Sequence, residues 1–341
     1  MRSVTALLWA QVLLLGTPVA AQERAPIIDM HLHAAQLDPA PPPPIALCTP
    51  LDPPAPLWDQ RRPFAEVWGS MLKSPPCDDP VWSPTTDEAV MNGTVEVMER
   101  LNVFGVLGGM GYERSPVIDA WLAAAPERFI AGSRCVPTMP DCSVDYIREL
   151  HATGRLEVLA EIYTLLGGIA PDDERLEPYW ALAEDLDIPV GIHIGIIPPF
   201  LYLGLQEERA RNHSALTLED VLVRHPRLRV YVMHAGYPML DDMLAVLQAH
   251  PQVYVEVGAI VWHVPRAGFY RYLRALVEAG HGKRVMFGTD QLQLPGLIER
   301  AVGVINEAAF LSEAQKRDIL YNNAARFLRL SEEEIAKHHS M

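Results

Sequence analysis

The sequence predicts a (β/α)8 barrel, in which eight parallel strands form a closed ring surrounded by helices. Two observations carry the prediction: short apolar segments alternate with amphipathic ones along the chain, and the apolar segments are hydrophobic at nearly every position. Such strands are buried on both faces, as in parallel sheets covered by helices. An open, doubly wound sheet is the alternative. It would need a glycine-rich phosphate loop after the first strand, where the sequence reads MHLHAAQ.

Residues 1–21 are predicted to be a secretory signal peptide and not part of the fold. They contain one charge, at Arg2, followed by an apolar core and the small residues of 19–21. This pattern predicts cleavage after Ala21 and export to the periplasm or out of the cell. A membrane anchor is the alternative, although the apolar run is short for one. No later segment has the roughly 18 uninterrupted apolar residues of a membrane span, so residues 22–341 are expected to form one barrel domain.

The balance of charged residues indicates what kind of molecule the protein binds. The chain has 28 Lys and Arg against 43 Asp and Glu, a formal net charge of −15 that becomes −16 when Arg2 leaves with the signal peptide. Nucleic-acid phosphates require clustered cations, so this balance argues against nucleic acid and favours a small-molecule substrate. The sequence leaves the oligomeric state open, and a homo-oligomer is compatible with it.

The predicted elements follow one another in the order that a barrel requires. The strands are expected at 26–33, 103–109, 129–135, 156–163, 188–195, 228–236, 253–260 and 284–290. The helices between and after them are expected at 86–101, 115–128, 143–154, 173–187, 217–226, 239–251, 267–280, 296–309 and 312–330. Gly154 is a typical residue for ending a helix, because it readily adopts a left-handed backbone conformation.

A proline-rich insertion at 35–84 follows the first strand. Its runs PAPPPP and LDPPAP predict a long irregular loop, because proline lacks the amide hydrogen that regular structure uses. A loop of this length in a compact domain is usually functional, and here it would lie over the mouth of the barrel. Trp58, Trp68 and Trp82 could form apolar walls of a site there, or pack in the ordinary way.

Four cysteines in an exported chain indicate disulfides. Four cysteines allow three pairings, and the sequence alone does not decide between them. We favour Cys48 with Cys77 and Cys135 with Cys142, because each pair would close a local loop. The absence of any C-x-x-C pattern argues against a structural zinc site.

Polar residues follow the predicted strands at the ends that meet at the mouth of a barrel, where active sites of this fold lie. Those expected to bind a divalent metal are His31, His33, Glu161, His193, His234 and Asp290. Imidazole and carboxylate groups suit Zn²⁺, which we favour, and also Mn²⁺ or Fe²⁺. A lone histidine at a strand end is more often structural, but four of them with a carboxylate indicate a metal site. Glu161 could instead be a buried carboxylate paired with Arg134.

Further residues near the strand ends are candidates for supporting roles. Arg134, Tyr163 and His263 could bind substrate, and Glu256 could support the ligands. Because side chains alternate along a strand, Asp29 is expected on the same face as the two histidines of the first strand. It would lie one layer deeper and support them without binding metal.

The motifs DMHLH (29–33), IHIG (192–195), HAGYP (234–238), FGTD (287–290) and ILYNNAARFLRL (319–330) resemble those of the amidohydrolase superfamily, in particular its amidohydrolase-related branch. The resemblance implies that His31, His33 and Asp290 bind metal and that His193 and His234 bind metal or substrate. It also implies that Asp290 acts as the general base. The motifs extend over the whole chain after the signal peptide.

The resemblance also connects the number of metal ions to the fourth strand. Binuclear relatives use a carbamylated Lys or a Glu there, and none of the four Lys, at 73, 283, 316 and 337, ends that strand. Glu161 is therefore the candidate bridge, which favours two ions and hydrolysis of an ester, lactone, amide or phosphoester. The alternative is a non-oxidative decarboxylase of an aromatic or unsaturated acid, because such relatives typically use one metal and lack this Glu. A non-catalytic binding protein is a third interpretation, which the complete ligand set disfavours.

Overall fold

The computed structural model describes residues 24–52, 56–109, 115–133, 135–137, 139–163, 168–195 and 209–341. The predicted signal peptide and Arg134 lie outside these residues, so their roles stay predictions. Within the described residues, no helix is long and apolar enough to span a membrane.

Eight of the ten strands in the described part of the chain form the barrel, and the other two pair with each other in the insertion. In chain order they are β1 (Ile27–His33), β2 (Ala46–Leu47), β3 (Val81–Trp82), β4 (Val103–Gly108), β5 (Phe129–Ala131), β6 (Leu159–Ile162), β7 (Val190–His193), β8 (Val230–Met233), β9 (Val253–Glu256) and β10 (Val285–Met286). The barrel strands pair in parallel in two arcs, β1-β4-β5 and β6-β7-β8-β9-β10.

Backbone hydrogen bonds close the ring between the two arcs. The amide of Ser133, after β5, donates to the carbonyl of Ala160 in β6 at 2.8 Å. On the other side, the amide of Met30 donates to the carbonyl of Phe287 at 3.0 Å, and the amide of Asp290 to that of His31 at 2.8 Å. The predicted barrel is confirmed, and the second closure brings the end of β1 beside Asp290.

The helices agree with the predicted positions and are mostly a few residues shorter. Those that cover the barrel are Asp87–Leu101, Ser115–Ala124, Val144–Ala152, Glu177–Asp185, Glu219–Arg224, Leu240–Ala249, Arg266–Leu276 and Gly296–Asn306. Ser143 begins one of them by accepting a hydrogen bond from the amide of Tyr146 at 3.1 Å, and Gly154 follows its end with φ of 68°. The predicted helix 312–330 consists of Glu313–Arg317, a wider π-helical turn and Asn323–Leu328.

The prediction that the segment 35–84 is irregular throughout is wrong. It contains the helix Phe64–Lys73 and the antiparallel pair of β2 and β3. The helix forms because no proline occurs between Pro63 and Pro75, and because Phe64, Trp68 and Leu72 recur with helical spacing. The helix is not predicted from the sequence because the many prolines on either side indicate irregular structure for the whole segment.

Both cysteine pairs favoured from the sequence form disulfides. Cys48 and Cys77 join the two ends of the structured part of the insertion. Cys135 and Cys142 close a short loop after β5. No free cysteine occurs in the described part of the chain.

The interior of the barrel is filled by residues from strands on opposite sides of the ring. Met30, Val106 and Tyr231 belong to this cluster, and the Tyr231 hydroxyl donates to the carbonyl of Met30 at 3.0 Å. Contacts between strands that are not neighbours can form only through the interior. The barrel is therefore solid beneath its mouth, as is usual for this fold.

The expected alternation of side chains along β1 is interrupted. The prediction that Asp29 shares a face with His31 and His33 is therefore wrong. The pairing of β1 with β4 shifts between Asp29 and Leu32. Met30 packs inside the barrel, whereas Leu32 packs in the outer layer with the helices. A bulge of this kind reverses the faces that follow it, so Asp29 does not share a face with His31 and His33.

Two further helices, Ile260–His263 after β9 and Glu332–Ser340 at the end of the chain, are not predicted from the sequence. The terminal helix begins with Ser331, whose hydroxyl accepts from the amide of Glu334 at 3.2 Å. His338 of this helix stacks on Phe104, with ring centroids 3.7 Å apart. The helix therefore packs on the side chain of an interior residue of β4.

Candidate metal centre

Two histidines of β1 and the carboxylate after β10 form the first half of a cluster at the mouth of the barrel. The Nε2 atoms of His31 and His33 lie 3.0 Å apart. Asp290 Oδ1 lies 3.1 Å from Nε2 of His33 and 3.8 Å from Nε2 of His31. The hydrogen bond from the Asp290 amide to His31 holds these segments together, so the fold itself sets the geometry.

Two histidines from β7 and β8 form the second half. His193 ends β7, and His234 follows β8 directly. Nδ1 of His193 and Nε2 of His234 lie 3.0 Å apart. The two halves are adjacent, because the rings of His31 and His234 have centroids 5.2 Å apart.

Glu161, in β6, contacts both halves through different oxygen atoms. Its Oε2 lies 3.5 Å from the Nε2 atoms of both His31 and His33. Its Oε1 contacts Nδ1 of His193 and lies 3.8 Å from Nε2 of His234. One carboxylate thus contacts both groups of imidazoles, each through a different oxygen atom.

Hydrogen bonds to the opposite ring nitrogens orient two of these histidines. Nδ1 of His31 lies 3.1 Å from Glu256 Oε1, and Nδ1 of His234 lies 2.9 Å from the carbonyl oxygen of Gly258. Both partners are acceptors, so in the neutral rings the protons lie on Nδ1 and the Nε2 lone pairs point into the cluster. Imidazole lone pairs and carboxylate oxygens are therefore directed at one another. A set of electron-pair donors arranged in this way fits a metal cation.

Glu256 connects the two halves from beneath the cluster. Besides His31, its Oε1 accepts a hydrogen bond from the amide of His234 at 2.9 Å, and its Oε2 accepts one from the amide of Gly258. Glu256 is fully buried. A Cβ atom added to Gly288 would lie 1.9 Å from Glu256 Oε2, which explains the glycine of the FGTD motif.

Asp29 supports the cluster through the backbone. Its carboxylate accepts hydrogen bonds from the amide of His31 at 3.0 Å, from the amide of Thr289 at 2.9 Å and from the Thr289 hydroxyl. These bonds link β1 to the segment that carries Asp290. Burial raises the pKa of Asp29 to about 7, although the hydrogen bonds oppose this effect. Asp29 thus contacts β1 and the segment before Asp290 from the opposite face of the strand to the one predicted.

The ionisable groups of the cluster respond to one another. Burial disfavours a proton on His31, but Asp290, Glu161 and Glu256 together raise the pKa of its imidazole well above the usual value. Burial also opposes ionisation of Asp290, but the neighbouring histidines lower the pKa of its carboxyl to about 2. An environment that favours positive charge at His31 is also one that favours a metal cation.

Two of the carboxylates lie on the open side of the cluster. The side chains of Asp290 and Glu161 are 14% and 10% exposed, whereas that of His31 is 1% exposed. His193, at 9%, is nearly as exposed as Glu161, so these three side chains form the accessible part of the cluster.

Tyr163 and His263, predicted to contact substrate, lie close to the cluster. The Tyr163 ring has its centroid 4.4 Å from that of His193. His263 ends the short helix after β9, and burial lowers the pKa of its imidazole to about 4 despite the opposing charge of Asp290. Tyr163 thus contacts a candidate ligand directly, whereas His263 responds to the charges of Asp290 and His234.

Gln291 supports the cluster and is not predicted from the sequence. Its Oε1 accepts from the amide of His33 at 3.0 Å, and its Nε2 donates to the carbonyl of the same residue at 2.7 Å. The side chain is fully buried and fixes the backbone of a candidate ligand. No pattern in the sequence marks it apart from its position next to Asp290.

The backbone is left-handed at two of the six candidate ligands. His234 has φ of 58° and Asp290 has φ of 56°. Non-glycine residues seldom adopt this conformation, and it often occurs at functional sites, where the surrounding structure enforces it. Here the hydrogen bonds of Glu256 to His234 and of Asp290 to His31 provide that constraint.

A barrel with imidazoles and carboxylates clustered at its strand ends has the architecture of metal-dependent (β/α)8 enzymes. A family profile described as amidohydrolase matches residues 28–330, and the chain belongs to this family. No curated protein matches the chain.

Solved structures share the fold at low sequence identity. An uncharacterized TIM-barrel protein from Bordetella bronchiseptica is 19% identical with a TM-score of 0.61, over 91% of this chain and 99% of the other. A probable 2-pyrone-4,6-dicarboxylic acid hydrolase from Acinetobacter baumannii is 14% identical with a TM-score of 0.56, over 89% and 99%. A 5-carboxyvanillate decarboxylase from Novosphingobium aromaticivorans, complexed with manganese, is also 14% identical with a TM-score of 0.56, over 91% and 97%.

Proposed function

We propose that the protein is an exported hydrolase that uses two divalent metal ions to cleave an ester, lactone, amide or phosphoester bond of a small molecule. The observation that carries this proposal is the position of Glu161, whose two carboxylate oxygens face two separate groups of histidines. A carboxylate in this position suits two cations held close together, as in two-metal hydrolytic sites.

His31, His33 and Asp290 would hold one ion, His193 and His234 would hold the other, and Glu161 would contribute an oxygen to each group. Bound divalent ions supply Lewis acidity and lower the pKa of water at the site. Asp290 accepts the proton of the attacking water and delivers it to the leaving group. The side chain of Asp290 is 14% exposed, the largest value among the carboxylates of the cluster, which suits contact with water and substrate.

Substrate contacts are assigned to Tyr163, His263 and Arg134. The first two lie beside His193 and near Asp290, respectively, which supports the assignment. Arg134 is included because it follows a predicted strand. Zinc is the favoured metal because histidine and carboxylate ligands suit it, and manganese stays a candidate because the decarboxylase with this fold was solved with it.

The second candidate function is non-oxidative decarboxylation. It is favoured by solved structures of this fold that are described as decarboxylases of 5-carboxyvanillate and 2,6-dihydroxybenzoate. Against it stands the bridging position of Glu161, since the resemblance associates decarboxylases with a single ion and no such Glu.

Assays of the purified protein, loaded with zinc or with manganese, distinguish the two reactions. It would be incubated with panels of aryl esters, lactones, amides and phosphodiesters, and separately with hydroxylated aromatic acids. The proposal predicts release of alcohol, amine or acid without CO2. Release of CO2 from an aromatic acid, with no cleavage in the first panels, would overturn it in favour of the decarboxylase.

Export rests on the predicted signal peptide and on the two disulfides, which persist in oxidising compartments. Determining the amino-terminal residue of protein recovered from the periplasm or the medium tests this part. A sequence that begins at Gln22 is expected, and an intact Met1 in protein retained in the cytoplasm would contradict it.

A further inference from the structure

A cavity of about 290 Å³ lies between the helix Phe64–Lys73 of the insertion and the segments that leave β1 and β10. Its surface is mostly apolar. The side chains that define it include those of Ala35, Ile45, Leu47, Trp68, Leu72 and Leu294.

Two segments that line the cavity leave the strand ends that carry candidate metal ligands. Ala35 lies two residues after His33, and Leu292, which also lines the cavity, lies two residues after Asp290. Two residues of extended chain span at most about 7 Å. Two walls of the cavity are therefore continuous with the backbone that carries two candidate ligands.

Hydrogen bonds fix these walls. The amide of Asp38 donates to Gln293 Oε1 at 3.0 Å, which joins the segments after β1 and β10. Lys73 Nζ donates to the carbonyl oxygens of Pro42 and Pro44, at 2.7 and 2.8 Å, which joins the helix of the insertion to the proline run. The space is thus enclosed by segments that are bonded to one another.

The chemistry of the walls selects an uncharged group. No Lys, Arg or His lines the cavity among the described residues, and Asp38 is the one ionisable side chain in its lining. Buried floor residues such as Leu47 and Leu72 offer hydrocarbon surface, while the more exposed Asp38 and Ala65 lie at the rim. An apolar cavity of about 150 Å³ accommodates a benzene ring, so this one has room for a substituted ring or a branched alkyl group.

We propose that this cavity binds an uncharged, apolar group of the substrate, of the size of a substituted aromatic ring, while the bond to be cleaved lies at the metal centre. Calling this group part of the substrate rests on the proposed function. The binding of an apolar molecule in the cavity does not depend on that function. The insertion 35–84 then determines specificity, because it provides most of the walls.

The test uses substitutions on one helix. Ala65→Trp places a large ring at the exposed rim of the cavity, and Ser70→Trp places the same ring at an exposed position that does not line it. The probe is 4-fluorobenzyl alcohol, followed by fluorine NMR with the metal-free and the zinc-loaded protein. Circular dichroism checks that both variants are folded.

We expect saturable binding of the probe to the wild type and to Ser70→Trp, and at least about tenfold weaker binding to Ala65→Trp, because the added ring takes the apolar surface that the probe would cover. Absence of saturable binding to the wild type would overturn the proposal, and so would equal binding to all three proteins.

Hydrolysis of a series of esters with acyl groups from acetyl to phenylacetyl links the cavity to catalysis. In the wild type and in Ser70→Trp, kcat/KM should rise with acyl size, and in Ala65→Trp the rise should be lost. A rise that survives in Ala65→Trp would overturn the role in specificity. Binding of the probe without hydrolysis of any ester, lactone, amide or phosphoester would support the cavity as an apolar binding site and contradict the hydrolase assignment alone.

Discussion

Glu256 Oε1 lies 3.1 Å from Nδ1 of His31, on the side of the imidazole that faces away from the other candidate ligands. The same oxygen accepts the amide hydrogen of His234 at 2.9 Å. One buried carboxylate therefore positions a residue from each half of the cluster. This arrangement places the Nε2 lone pair of His31 where a metal ion would accept it.

Replacing Glu256 by Gln should weaken metal binding without removing any of the six ligands predicted from the sequence. Partners of this kind typically change metal affinity by about 10- to 100-fold, and we expect a loss in this range because an amide holds His31 less firmly. Competition with a chromogenic chelator measures the affinity. Glu299→Gln, at an exposed carboxylate paired with Arg100, is the matched control. Equal affinity in both variants would show that Glu256 does not position the ligands.

Gly288→Ala should destabilise the protein, because its Cβ would collide with Glu256, 1.9 Å from Oε2. Overpacking of a buried site costs about 1–3 kcal/mol of the free energy of unfolding, measured by urea denaturation. Gly303→Ala is the control, since nothing lies within 4 Å of its added Cβ and a helical Ala gains about 0.5–1 kcal/mol over Gly. A Gly288 variant as stable as the wild type would refute the steric account.

Asp290→Asn should lower the turnover number by about 10²- to 10⁴-fold while leaving most of the metal bound. This is the typical contribution of a general base, which is lost because the amide cannot accept the proton from water. Steady-state kinetics and the metal content are measured on the same preparation. Activity within a few-fold of the wild type would remove Asp290 from the proposed role of base.

The sequence predicts the barrel and the set of clustered residues because of one property of the fold. The carboxyl ends of parallel barrel strands meet at one mouth, so each polar residue that ends an apolar strand can be assigned to it. The structure brings His31, His33, Glu161 and His193 together in this way, along with His234 and Asp290, which follow β8 and β10.

The details that the sequence does not predict depend on local geometry or on distant partners. The face of Asp29 depends on a shift of register that no residue type marks. The helix Phe64–Lys73 is short and lies among prolines. Gln291 acts through two bonds to the backbone of His33, 258 residues away in the chain, and no periodicity can indicate such a bond.

Glu161 is proposed to join two metal ions, and this property can be measured as the metal content per chain. Plasma mass spectrometry of the zinc-loaded protein should give close to two equivalents for the wild type. Glu161→Gln should give one equivalent or less, because a neutral amide does not bridge two cations. Glu157→Gln, at a carboxylate that bonds the amide of Ala131 instead, should retain two. One equivalent in the wild type, unchanged in Glu161→Gln, would contradict the binuclear centre and the hydrolase proposal built on it.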